Sequence, residues 1–280
     1  TDMAPATVQR YETSLKHTRD FVWETYHKKD VLLDEVSRQF IEDYEFWLKT
    51  EKKCCHNTAT KYLKNFKKII RIALAKGWMK NDPFLEIRFS LDKVEPDFLE
   101  DSEIQKLISK EIDIPRLSQV RDIFVFCCFT GLAFSDIHGL RKEHIVEDSN
   151  GVRWIRKGRQ KTKIMCNIPL IEIPLKILEK YSTNEYCKKH GVLFPVLCNQ
   201  KMNAYLKELA DICGIKKTLT THVGRHTFAT FALANGVSIE SVAKMLGHTN
   251  VQMTRHYARV LDRTVIREMS QIKMDFHISI

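Results

Sequence analysis

Three successive stretches of helical hydrophobic period lie within residues 6 to about 90, and they commit this part of the chain to an α-helical fold. Val8, Tyr11, Leu15, Val22 and Tyr26 recur at helical spacing, and a second helix is expected from about Asp34 to Leu48. The third stretch, Thr58 to Lys76, is the most explicit. Leu63, Phe66, Ile70, Ala73 and Leu74 share one side, while Lys61, Lys64, Lys68 and Arg71 gather on the other. A charged stripe is commonly a solvated face. A stripe of one sign suits contact with phosphates equally well.

Gly77, Asn81-Asp82-Pro83 and Lys93-Val94-Glu95-Pro96 punctuate the chain, and the stretch from about 84 to 97 has no helical period. A linker is therefore expected at residues 93–98, between a helical domain at 1–92 and a second domain at 99–280. The second domain opens on an expected helix from Glu100 to Ser109, capped by Asp101 or Ser102. Val120 to Thr130 reads as a buried helix ending near Gly131. Trp154-Ile155-Arg156 and Ile164 to Ile168 read as short strands around a basic turn, Lys157 to Thr162. Pro174 then opens a helix with Leu175, Ile177, Leu178 and Tyr181, and helices follow to the end. The expected fold is mainly α, with a small antiparallel β-sheet confined to the second domain.

Charge narrows the partners. The 280 residues carry 45 Lys+Arg against 35 Asp+Glu, a formal net charge of +10. Residues 1–95 hold 18 basic and 15 acidic side chains, and the remainder 27 and 20, so both parts are net basic. This balance favours a polyanionic partner without choosing between DNA, RNA and a membrane surface. The eight cysteines include the adjacent pairs Cys54-Cys55 and Cys127-Cys128 and no C-x-x-C spacing. They offer neither a disulfide framework nor a zinc site, which fits a reducing, intracellular compartment. No apolar stretch approaches the ~20 residues of a membrane-spanning helix, and no secretory signal is visible. Because the chain begins at Thr1, an N-terminal segment is expected to have been removed.

The chemistry concentrates in the C-terminal quarter. His222-Val223-Gly224-Arg225 is followed by Leu246-Gly247-His248, and nine residues later comes Tyr257. Thr220-Thr221 is placed to cap a helix that carries His222 and Arg225 on one face. Arginine and histidine neutralise phosphate oxygens, and tyrosine can attack phosphorus and hold it covalently. A free phenol is only about one part in a thousand ionised at neutral pH, so the attack requires a base or a cationic site. Other chemistries lack their parts. There is no G-x-x-x-x-G-K-[ST] phosphate loop and no G-x-S-x-G elbow. His222 and His226 have the spacing of a zinc helix, but Val223 stands where H-E-x-x-H has its glutamate.

The ordered boxes T-H-x-x-R-H-T-F-A-T, A-x-x-L-G-H and H-Y-A resemble the C-terminal signature of the tyrosine recombinases, the phage-type integrases. F-T-G-L-A-F-S-D-I-H-G-L-R, residues 129–141, is similar to that family's first box, and R-Q-K-T, 159–162, to its β-hairpin lysine turn. The resemblance covers nearly the whole chain. It implies a helical core-DNA-binding domain and a catalytic domain closing as a C-shaped clamp on double-stranded recombination sites. It implies that Tyr257 forms a 3′-phosphotyrosyl link, Arg225 holds the non-bridging oxygens, His222 and His248 support the phosphate and manage protons, and Lys161 protonates the departing 5′-oxygen. No metal, ATP or other cofactor is implied. The lysine and arginine stripe of residues 61–71 and Arg141 would contact DNA. A homotetramer of an integrase from a mobile element is implied, working in the bacterial cytoplasm on the nucleoid with DNA-bending accessory proteins. The tail from about Asp262, with Val265, Ile266, Met269 and Ile272 on one face, would dock on a neighbouring protomer. An arm-site DNA-binding domain would precede Thr1.

One position departs from the pattern. The first box ordinarily reads T-G-L-R, and here its arginine is Ala133. A methyl group cannot neutralise a phosphate oxygen, and one such interaction is worth about 2.7–4 kcal/mol of transition-state stabilisation. Arg159 is the first candidate to replace it, because it lies two residues before Lys161 and in a strand both would project to one face. Arg121 is the second candidate. The alternatives to a recombinase are a type IB topoisomerase and a catalytically weakened DNA-binding relative.

Overall fold

Aromatic rings decide the packing of the N-terminal helices. In the computed structural model, which describes residues 3–257 and 269–270, α1 spans Pro5–Tyr26, α2 Arg38–Thr50 and α3 His56–Ala75. Phe21 of α1 meets Phe40 and Tyr44 of α2 at ring separations of 5.1 and 5.0 Å, and Tyr44 meets Phe66 of α3 at 5.9 Å. Phe84, beyond α3, closes the cluster against Phe66 at 6.2 Å. Rings at these distances add to the area they bury. The apolar side of α3 is buried as its period requires, with Leu63, Ile70 and Ala73 inside. The second helix starts later than the sequence suggests. Residues Leu33–Glu35 form a separate 3-10 turn, and Ser37 caps α2 by accepting a bond from the Phe40 amide at 3.3 Å. A hydroxyl at that position satisfies an amide that the helix cannot.

The chain divides into two compact units, residues 1–95 and 96–280. The second holds α4 Asp101–Ser109, α5 Pro115–Thr130, α6 Phe134–His138, α7 Glu172–Tyr181, α8 Glu185–His190, α9 Asn199–Ile212, α10 Thr221–Ala234, α11 Ile239–Leu246 and α12 Gln252–Arg255. Its centre is α5, most of which is buried from Val120 onward: Val120, Ile123, Phe124, Phe126 and Cys127 all lie inside. α7, α9 and α10 pack around it. Gly224 lets α10 lie close, since a Cβ there would stand 3.2 Å from both Phe124 and Cys127. α5 ends at Gly131 in a left-handed conformation (φ 67°), which favours glycine.

The sheet has three antiparallel strands in the order β1 (Ile145–Glu147), β2 (Arg153–Gly158) and β3 (Met165–Pro169). Ile155 pairs with Ile168 and both face the core, while β3 rests on α11. β1 is only three residues long, too short to show a period, and sequence reading missed it. Two helix starts also differ. α4 is capped by Glu100, whose amide donates to the Glu103 carboxylate at 2.8 Å, and α7 begins at Glu172, with Pro174 inside its first turn. Proline fits there because the first-turn amides have no helical acceptor. No helix among the described residues is long and apolar enough to cross a membrane.

Candidate active site

Arg225 is the anchor of the site. It lies on α10 and is only 2 % exposed. Its Nη1 donates to the Gly131 carbonyl and its Nη2 to the Leu246 carbonyl, both at 2.7 Å, and Nη2 also donates to His248 Nε2 at 3.0 Å. The two carbonyls belong to the C-terminal ends of α5 and α11, where helix dipoles present negative charge. Each hydrogen bond to a charged group contributes about 1.5–3 kcal/mol. This seating holds an otherwise costly buried cation. Burial, and secondly the neighbouring charge of Arg159, lower its pKa to about 10, so it stays protonated at neutral pH.

His248 follows α11 directly. Because Arg225 can only donate, His248 Nε2 must accept, so Nδ1 carries the proton and donates to Thr254 Oγ1 at 2.8 Å. Thr254 is fully buried on α12, and its carbonyl accepts the Tyr257 amide at 2.9 Å. Tyr257 is buried in turn. Its ring lies 6.3 Å from the His248 ring, nearly parallel at 13°, and 5.2 Å from the His226 ring. His226 in turn meets His222 edge-on at 4.3 Å. His222, on the first turn of α10, completes the group.

The electrostatics refine the expected roles. Burial and Arg225 drive His248 down to about 4, and burial with His222 does the same to His226. His222 is lowered by burial and then by the cations Arg225, Arg159 and Lys161. The histidines therefore do not add positive charge at neutral pH. They are neutral hydrogen-bonding groups. The Tyr257 phenol is raised, because burial outweighs the attraction of Arg225 and Arg159. A phosphate placed against the cations would supply the missing counter-charge.

Structure separates the two candidates for the missing first-box cation. Arg159 reaches the cluster: its charge is felt by Arg225, His222, His248 and Tyr257. Arg121 is committed elsewhere, to the Lys110 carbonyl at 2.7 Å and the Asp122 carboxylate at 3.0 Å. Arg159 and Lys161 lie on the turn after β2, outside the strand. The strand alternation that linked them does not apply, and the turn itself brings both toward His222. Thr220 occupies the capping position of α10 but makes no side-chain cap; the Asn203 side chain accepts the Thr221 amide at 2.9 Å instead. Ala133 sits just before α6.

Sequence reasoning missed Asp136, Thr254 and His226. Asp136 and Thr254 hold neighbours of the reacting groups, and neither forms a motif of its own. His226 stands in the T-H-x-x-R-H box and in an incomplete zinc helix, but neither pattern gives it a role. Among the described residues no set of three or more His, Cys, Asp or Glu is placed to hold a metal ion.

A second group lies on α3 in the first unit. Lys64, Lys67, Lys68 and Arg71 line a cavity of about 360 Å³ with Phe89. Lys67 Nζ stands 5.4 Å from the Phe89 ring and Lys68 Nζ 5.4 Å from the Tyr11 ring. None of these cations is paired with a carboxylate among the described residues. Lys67 was missed, although residues 64, 67, 68 and 71 repeat at helical spacing. Lys61 is exposed on the same helix without lining the cavity. Arg141 is exposed in the second unit, beside the turn Lys142–His144. The proposed docking tail from Asp262 lies outside the described residues, apart from Met269 and Ser270.

Known proteins share both units. Residues 97–264 match the phage integrase family and residues 1–91 the phage integrase SAM-like domain. A tyrosine recombinase of Pseudothermotoga lettingae is 30% identical over 244 residues, covering 84% of this chain and 82% of that protein. Tyrosine recombinase XerD of Oceanobacillus iheyensis is 27% identical over 246 residues, covering 84% and 81%. Among solved structures, a lambda integrase dimer bound to a COC′ core site shares the fold with a TM-score of 0.74 at 17% identity, over 99% of this chain and 94% of that one. The Tn1549 transposon integrase in complex with a circular intermediate DNA gives 0.72 at 18% identity, over 97% and 95%. The chain belongs to the phage integrase family, the tyrosine recombinases that transfer DNA strands.

Proposed function

We propose that this chain is a site-specific recombinase that cuts and rejoins DNA through a 3′-phosphotyrosyl intermediate, without metal or ATP. The observation that carries this reading is the chain of contact from Arg225 to His248 to Thr254 and Tyr257. Tyr257 Oη attacks the scissile phosphorus; the P–Oη bond forms as the bond to the 5′-oxygen breaks. The phenolic proton passes to a neutral imidazole of the site, and Lys161 gives a proton to the 5′-oxygen. Arg225 and Arg159 hold the non-bridging oxygens, and His222 and His248 steady the phosphate. Reversing the steps on a second 5′-hydroxyl rejoins the strand. The covalent link preserves the phosphodiester, so no nucleotide is consumed, and cations take the part that metals play in other phosphoryl transfers.

Residues 1–92 serve as the core-DNA-binding domain, 93–98 as linker and 99–280 as the catalytic domain. The unpaired cations Lys64, Lys67, Lys68 and Arg71 support phosphate contact by the first, with Lys61 and Arg141 as further contacts. The recombination-site DNA bound by the relatives supports double-stranded DNA as the partner. The working assembly in this proposal is four copies on two recombination sites, helped by DNA-bending proteins, in the bacterial cytoplasm on the nucleoid. The test is a suicide substrate nicked near the scissile phosphate, built from candidate element ends. Native protein forms a covalent adduct and Tyr257→Phe forms none, while both bind the DNA. An adduct that persists in Tyr257→Phe overturns the reading.

A further inference from the structure

Arg159 is not free to place itself. Its amide donates to the Ile164 carbonyl and its carbonyl accepts the Lys163 amide, each at 2.9 Å. Its side chain is 11% exposed and shares a cationic site with Arg225, which repels it. A guanidinium so placed would swing to solvent unless something opposes the repulsion. Two features do so. The Asp136 side chain, 2% exposed on α6, sets Oδ2 at 3.5 Å from Arg159 Nε. Its Oδ1 accepts the Gln160 amide at 2.9 Å, which fixes the turn itself. On the other side stands Gly247, where a Cβ would come within 2.7 Å of Arg159 Cδ. The arginine thus lies in a slot between a carboxylate and a bare backbone. Its Nε is shielded from solvent and faces Asp136. The terminal nitrogens are left to meet a ligand.

We propose that Asp136 is a positioning residue that holds Arg159 as the site's second phosphate-binding arginine, one carboxylate serving both its side chain and its turn. This inference rests on the reading of Arg159 as the replacement for the arginine absent at Ala133. Asp136 does not touch the phosphate. It acts through Arg159, and its single negative charge balances one of two adjacent positive charges.

The test separates the charge from the turn. In Asp136→Asn, Oδ1 can still accept the Gln160 amide, while the attraction for Arg159 is lost. Single-turnover adduct formation on the suicide substrate is measured for native protein, Asp136→Asn, Arg159→Ala and the double variant, with DNA affinity measured in parallel. Asp136→Asn is expected to slow adduct formation roughly 10- to 100-fold, the scale of a small misplacement of a catalytic group. In the Arg159→Ala background the same change is expected to cost less than about threefold, since a group acting only through Arg159 has nothing left to act on. Equal losses in both backgrounds, or no loss in the native one, overturn the inference while leaving Arg159 in place. If Arg159→Ala cleaves at the native rate, the reading beneath it fails instead. A second measurement is independent of activity. The Arg159 Nε–H signal, identified by its absence in Arg159→Lys, is expected to be protected from exchange in native protein and to lose protection in Asp136→Asn. Unchanged protection overturns the pairing.

Discussion

The buried hydroxyl of Thr254 offers a measure of how far the site depends on one proton's location. His248 Nε2 accepts from Arg225 at 3.0 Å only while Nδ1 carries the hydrogen, and Thr254 Oγ1, 2.8 Å away, receives it. Thr254→Val keeps the shape and removes the acceptor. The imidazole then either buries an unsatisfied Nδ1–H or moves its proton to Nε2, where it meets an arginine donor head-on. An unsatisfied buried donor costs about 1–3 kcal/mol, which corresponds to roughly 5- to 150-fold. Adduct formation by Thr254→Val is therefore expected to be slower by about that factor on the nicked substrate, with DNA affinity unchanged. Thr254→Ser restores the acceptor and most of the rate. A valine variant that cleaves within twofold of native protein, or a serine variant as slow as valine, would refute the assignment of the proton to Nδ1.

Two further outcomes follow from burial and charge elsewhere in the protein. His226 and His248 are held near 4 against 6.5 in an unfolded chain, so between these values the unfolded state binds more protons. Stability therefore falls as pH drops from 6.5 toward 4, and His226→Phe should flatten that part of a melting-temperature profile; an unchanged slope argues against a buried neutral His226. Lys67→Ala should weaken DNA binding across unrelated sequences and reduce the slope of log affinity against log salt by about 1, with adduct formation at saturating DNA unaffected. An unchanged salt slope would remove Lys67 from the DNA interface.

Much of this is legible in the amino-acid sequence. Helices α1, α3 and α5 announce themselves by period and by their flanking Pro and Gly residues, because burial of one face is a property of local spacing. Tyr257, His248, Arg225 and His222 stand in ordered boxes, and Arg159 could be singled out by its distance from Lys161. A turn, not a strand, carries Arg159 to the site, so strand alternation does not link it to Lys161. What stayed hidden is what lies far apart in the chain. Asp136 precedes Gln160 by 24 residues, and Gly131 precedes Arg225 by 94. No periodicity links such pairs. The effect of burial on the histidines was equally invisible, since it depends on what surrounds each ring and not on the residue type.

Arg225 spends two of its strongest bonds on main-chain oxygens. Every amino acid brings a carbonyl, so no substitution at position 131 or 246 can delete these acceptors; it can only displace them. The specificity of this seat is written in the paths of two helix ends, and side-chain identities around it are free to drift as long as those paths are kept. A saturation scan of the site would thus look uneven. Arg225 would tolerate almost nothing, while tolerance at its two acceptor positions would follow conformational demand: strict at Gly131, whose backbone is left-handed and whose added Cβ would fall 2.4 Å from Phe228, and graded by apolar volume at Leu246.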